Sequence, residues 1–204
     1  MNIENQYEFN NTTICNFWNF ASDINTIYIR LDDDIVWLSP SFINDMIKGR
    51  LKYRNAFLVS ANIINNVRCD FMHQSIGLLS KEYMIEDECM CKVGWSQPKV
   101  AEWKHRIFLN TLKNNNLDYY IYPDKNILNY TRFSINSISW FGKDIDKFPL
   151  YVDEEQYTTV NIPQSLNKPC ILLGNPLASH FAFGHTTNIF ISNSRATPQA
   201  TYVL

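Results

Sequence analysis

The run Asp32-Asp33-Asp34 constrains this chain more than any other feature, because it stands between two segments that need burial. Ahead of it, Ile27, Ile29 and Leu31 alternate with Thr26, Tyr28 and Arg30, the two-residue period of a strand; behind it comes the apolar run Ile35-Val-Trp-Leu38. The acids therefore emerge where a sheet meets its loop and are drawn toward the interior, where carboxylates need a cation or a dense set of donors. Extended backbone predicts Asp32 and Asp34 on one face and Asp33 on the other. Two carboxylates converging from one face form a hard-oxygen site suited to Mg²⁺ or Mn²⁺. Such ions take one or two protein carboxylates and fill their shell with water and substrate phosphates. The spacing points to a nucleotide or diphosphate enzyme. A solvated turn, the commoner fate of acidic clusters in general, fits poorly with Ile35–Leu38 following directly.

With 204 residues, 46% of them hydrophobic, the chain is long enough for one domain with a substantial core, and no shift in composition divides it. A net charge of -2 without a basic arm argues against nucleic acid as a partner. No stretch approaches the roughly 20 apolar residues of a membrane span, and the polar N-terminus lacks the pattern of a signal peptide, so a soluble, cytoplasmic protein is expected. Cys15, Cys69, Cys89, Cys91 and Cys170 are scattered, odd in number and free of any Cys-x-x-Cys pair, which predicts free thiols. Asn-x-Thr triplets at Asn10, Asn11 and Asn129 carry no weight without secretion.

Along the chain, Ile14, Phe17, Trp18 and Phe20 are compatible with a short helix. Ser39-Pro40 reads as a cap and first-turn proline, with Phe42, Ile43, Met46, Ile47 and Leu51 on one face of a helix from Pro40 to Tyr53. Ala56–Ser60 is a buried strand leading into Ala61–Asn66, whose amides predict a loop lining a cleft. A second helix is expected from Ser96 to Lys113, ended by Asn114-Asn115-Asn116. Phe133–Phe141 is a strand or cleft loop, and Pro169–Leu173 a short strand closed by Gly174. The alternation predicts an α/β sandwich with a mixed sheet flanked by helices and ligands at the carboxyl ends of strands.

Taken in order, Tyr28–Pro40, Asn62–Asn66, Ser139-Trp-Phe-Gly142, Asp153-Glu-Glu155 and Ser179-His-Phe-Ala-Phe183 resemble the nucleotide-sugar-dependent glycosyltransferases of the GT-A fold. The resemblance covers roughly residues 26 to 185. It implies an Asp-x-Asp motif that binds a divalent ion on the donor diphosphate and a late histidine as a further ligand. Carried over, Asp34 is the main metal carboxylate, Asp32 faces the metal or donor ribose, Asp33 touches the donor or orients the loop, and His180 is the distant imidazole. Asn62 and Asn65 fall in the donor region. His73, His105 and His185 are expected to be structural or surface residues.

The implied reaction moves a sugar from a nucleoside-diphosphate sugar to a hydroxyl acceptor with Mn²⁺ or Mg²⁺. An inverting transfer needs a general base, for which Asp153, Glu154 and Glu155 are candidates; a retaining one leaves them free to bind acceptor. Trp140 and Phe141 are candidates for an apolar sugar platform. Only 31 residues precede Asp32, too few for the strand-helix-strand unit that holds the nucleoside in that fold, so an incomplete nucleotide half is expected. The polar tail from 192 to 204 shows no helical period. A catalytically degenerate domain that binds glycan or nucleotide, or serves as an interaction module, is the alternative from a different class.

Overall fold

The computed structural model describes residues 14 to 181 apart from 90, 147 and 151. The segment around Phe183 and His185 and the tail from 192 lie outside the described residues. The opening helix α1 (Ile14–Phe20) leads into β1 (Ile27–Leu31) and, after the acidic turn, β2 (Ile35–Leu38). Next come α2 (Phe42–Lys52), β3 (Leu58–Ile64), α3 (Val67–Ser75), α4 (Lys92–Ser96), α5 (Pro98–Lys113), β4 (Lys125–Ile127) and β5 (Ser137–Phe141). A helical run of α6 (Glu154–Gln156), a π-helical turn over Tyr157–Asn161 and α7 (Ile162–Leu166) precedes the last described strand, β6 (Cys170–His180). The result is the expected α/β arrangement, an open mixed sheet flanked by helices.

The strand order is β1-β5-β3-β6-β2, with β4 beside the first half of β6. β5 runs antiparallel to both β1 and β3, so β1 and β3 point the same way, and β6 is parallel to β3. The carboxyl ends of β1, β3 and β6 therefore share one end of the sheet. β1 and β2 do not form a hairpin: the three acids carry the chain from one margin of the sheet to the other across that end. All seven residues of β3 are buried, as expected for a central strand covered on both faces.

Two expected boundaries shift for one reason. Gly174 does not close a strand, because β6 continues through it to His180, and Asn62 is not in a loop, because β3 runs on to Ile64. Where the two strands pair, Ser60 opposes Leu172 and Asn62 opposes Leu177, so Leu173–Pro176 bulges against Ala61. Asn62, fully buried, holds that bulge: its Nδ2 donates to Gly174 O (2.9 Å) and Tyr120 O (2.8 Å). Its Oδ1 consequently faces His73 Nε2 at 2.8 Å, which fixes the imidazole proton on Nε2. Glycine is required at 174, where a Cβ would lie 1.6 Å from Tyr122 O. Asn66 ends the segment not as a loop amide but as the N-cap of α3, its side chain accepting from Arg68 N and Cys69 N.

Helix α2 starts at Phe42 and α5 at Pro98, each slightly later than the sequence suggests. His73 is structural, as expected, and lies fully buried in α3. Below it Lys104 Nζ pairs with Asp70 Oδ2 at 2.6 Å, with both side chains 1% exposed. The five cysteines are free thiols, all buried. No helix among the described residues is long and apolar enough to cross a membrane.

Replacing Asn62 with Ala strands two buried carbonyls and the His73 N–H. Asn62→Ala is expected to lower stability by about 3 kcal/mol, read as a reduced urea midpoint with unchanged slope.

Candidate metal centre

Backbone geometry at the acidic run differs from the extended form expected. Ile35 N donates to Asp32 O (3.2 Å), closing a turn over Asp33 and Asp34, and this turn brings Asp32 and Asp34 together. Asp34 is then pinned beside β6, since its carbonyl accepts from Phe181 N (2.8 Å) and Ile35 stands in register with His180. Asp32, Asp34 and His180 each offer a ligand atom, all within 4.8 Å of one another. His180 Nε2 lies 2.9 Å from Asp34 Oδ2. Two adjacent ligands of an octahedral ion with bonds of about 2.1 Å stand about 3 Å apart, so this separation suits a shared cation. Asp34 Oδ1 is buried and has no hydrogen-bond partner, a second acceptor still open for a cation.

Asp32 is differently placed. Its Oδ1 accepts from Arg30 Nη2 (2.9 Å) and its Oδ2 from Asn136 Nδ2 (3.1 Å). Burial pushes the Asp32 carboxyl above its usual range, against the pull of Arg30 and Asn136. Asn136 Oδ1 in turn accepts from Asn66 Nδ2 (2.8 Å), so the cap of α3 orients the amide that holds Asp32. Neither Arg30 nor Asn136 stood out in the sequence. Arg30 carried a signal, as the only charged residue within β1 and on the same face as Asp32, whereas Asn136 had none before its neighbours were known.

Donor set and geometry fit a divalent ion, with Asp34 and His180 as the stronger pair and Asp32 weakened by its guanidinium neighbour. An imidazole among carboxylates favours Mn²⁺ over Mg²⁺. Asp33 is exposed beside the centre. Asn65 is buried at the carboxyl end of β3 with φ 67°, and its Nδ2 has no hydrogen-bond partner. It follows Ile64, which stands opposite Ser179. Asn62, by contrast, has its amide committed to the interior.

The three later acids separate. Asp153 caps α6, its Oδ1 accepting from Gln156 N and its Oδ2 from Arg132. Glu155 accepts from Arg132 Nε (2.7 Å) and the Cys89 thiol (3.4 Å). Burial, with Glu155 adding its charge, pushes that thiol up to about 11. Glu154 alone lines the groove of about 690 Å³ that also holds Arg30, Asp32 and Asp33. Its Oε1 accepts from Arg30 Nη1 (2.6 Å) and from Trp18 Nε1. Burial acts against the Arg30 charge, but Glu154 and Asp32 outweigh it and raise the guanidinium's pKa.

Phe141 does not sit with the acids, whereas Trp140 lines the groove that also holds Asp32, Asp33 and Glu154. Ser137 pairs with Leu31 and Phe141 with Ile27, which puts both aromatics roughly 10–14 Å along β5 from the acidic end. Trp140 is buried against Trp18 and Tyr28, and an Arg50 guanidinium lies 4.6 Å from the Phe141 ring centre.

His105 braces the centre from α5, its Nε2 3.0 Å from His180 O and its Nδ1 2.8 Å from Ala101 O. Comparison with family models, curated proteins and solved structures gives no match to this chain.

Burial lowers the pKa of both His73 and His105 below the ordinary 6.5. Just below that pH the unfolded chain binds more protons than the folded one, so the stability is complete above 6.5 and declines as pH falls through it. The slope is at most about 1.4 kcal/mol per pH unit for each histidine. Urea midpoints should fall between pH 7 and pH 5, and His73→Gln should flatten the decline.

Proposed function

We propose that this chain is a metal-dependent glycosyltransferase of the GT-A kind, moving a sugar from a nucleoside-diphosphate sugar to a hydroxyl acceptor. The observation that carries the reading is the convergence of Asp32, Asp34 and His180 at the shared carboxyl end of three parallel strands, where open α/β sheets take their ligands. A divalent cation bound there would offset the charge that builds on a departing diphosphate. Asp34 and His180 hold it, Asp32 orients it under the control of Arg30 and Asn136, and Asn65 Nδ2 offers a hydrogen bond to the donor.

Glu154 is the acid we assign to the acceptor proton, because it alone of the three shares a groove with Asp32. One feature favours a second reading, a domain that binds without turnover: Arg30 engages both Asp32 and Glu154, which satisfies both carboxylates within the protein.

Calorimetry across a panel of nucleotide sugars is expected to show binding that requires Mn²⁺ and is lost in Asp34→Ala. Binding that ignores the metal, or is absent throughout the panel, overturns the proposal. Glu154→Gln should leave donor affinity intact while lowering kcat by about 10² to 10⁴. Donor binding with no turnover in the unmodified chain would instead establish the binding domain.

A further inference from the structure

The groove beside α1 is lined by six consecutive residues, Tyr28 to Asp33, so it runs along the backbone edge of β1. Among the described residues β1 pairs only with β5, and its other edge carries no strand. In an antiparallel ladder alternate residues turn their N–H and C=O groups away from the partner, so that edge presents a row of unmade hydrogen bonds. Ile27–Leu31 contains no proline, lysine or bulge, and its one charged residue, Arg30, is turned to Asp32 and Glu154 of its own chain. The opposite margin is better guarded. It is split between the three-residue β4 and the four-residue β2, whose pairing with β6 is bulged. Phe17, Phe20 and Ile24 stand 57%, 82% and 69% exposed near β1.

We propose that this edge joins two copies of the chain, β1 pairing antiparallel with β1 of a second copy about a twofold axis through Ile29. The sequence Ile-Tyr-Ile-Arg-Leu is complementary to itself in that register. Ile29 meets Ile29 of the second copy, Ile27 meets its Leu31, and Tyr28 meets its Arg30, so apolar residues face apolar ones and the cation lies beside a ring. Moving the axis to Arg30 would oppose two like charges directly. Beyond the strand, Asp32 of one copy faces Thr26 of the other, and the acidic runs stay apart. A twofold makes identical edges antiparallel, the geometry this pattern suits. Glu154 lines the same groove, so a second copy seated along β1 and an acceptor beside Glu154 exclude one another.

Analytical ultracentrifugation tests it with the full chain. The unmodified protein should sediment as a dimer at micromolar concentration. Ile29→Lys and Ile29→Glu, each placing like charges on the axis, should weaken association at least tenfold, and an equimolar mixture of the two should restore the dimer by pairing opposite charges. Leu31→Lys, at a position 39% exposed, should weaken association without touching the core. An unmodified chain that stays monomeric, either Ile29 variant remaining a dimer, or folded variants that fail to recombine overturns the proposal. If the Ile29 variants do not fold, the Leu31→Lys result decides alone.

Discussion

One buried amide sets the register on which the candidate centre depends. β6 must pair with β3 along its whole length, yet its middle holds Leu173-Gly174-Asn175-Pro176, too many residues to match one residue of β3. Asn62 gathers the excess by donating to Gly174 O and to Tyr120 O at once, and Gly174 gives the room. Beyond the bulge the strands resume pairing at Leu177, β2 aligns on the other side, and His180 arrives opposite Ile35. A slip of one residue there would turn His180 to the other face and away from Asp34. The distance between imidazole and carboxylate is thus set about three residues away from either, by a side chain with no chemistry of its own.

Three buried or half-buried acids show how the protein separates structural charge from available charge. Asp70 is matched by Lys104 and Asp32 by Arg30, each a full cation in direct contact. Asp34 has only an imidazole at hand, and one of its oxygens is buried without a partner. The Asp34 side chain is 34% exposed and keeps part of its hydration, and of the three it alone has no lysine or arginine in contact among the described residues. A cation bound there would meet the least competition on the Asp34 and His180 side, because Arg30 already holds Asp32.

The sequence made visible those features that depend on local period. The alternation of Ile27–Leu31 and the placing of acids at a strand end follow from spacing and appear in the fold, whereas the expected face of α2 does not: Phe42 and Met46 are buried together with Gly49 and Arg50, while Ile43, Ile47 and Leu51 are exposed. What stayed hidden was set by tertiary contact. Asn62 looks like a loop amide because amides seldom fill buried strands, and its partners lie 58 and 112 residues away. Gly174-Asn-Pro reads as a terminator because nothing local reports that a bulge will absorb it. The three acids at 153–155 look equivalent in the chain and diverge only when Arg132 claims two of them. Asp32 and Asp34 did converge, but through a turn in place of the pleat.

The position of the acidic run has a further consequence for how a donor would lie. Because β1 is marginal, its carboxyl end borders the rest of the sheet on one side only, through β5 and then β3. The resemblance to glycosyltransferases implies nucleoside-binding strands ahead of the acidic motif, and the place where such strands would extend this sheet is the free edge of β1. A second copy of β1 and a nucleoside-binding strand therefore compete for the same row of hydrogen bonds. Glu154 lines the groove along that same edge, so a second copy seated there would also close the way to its carboxylate.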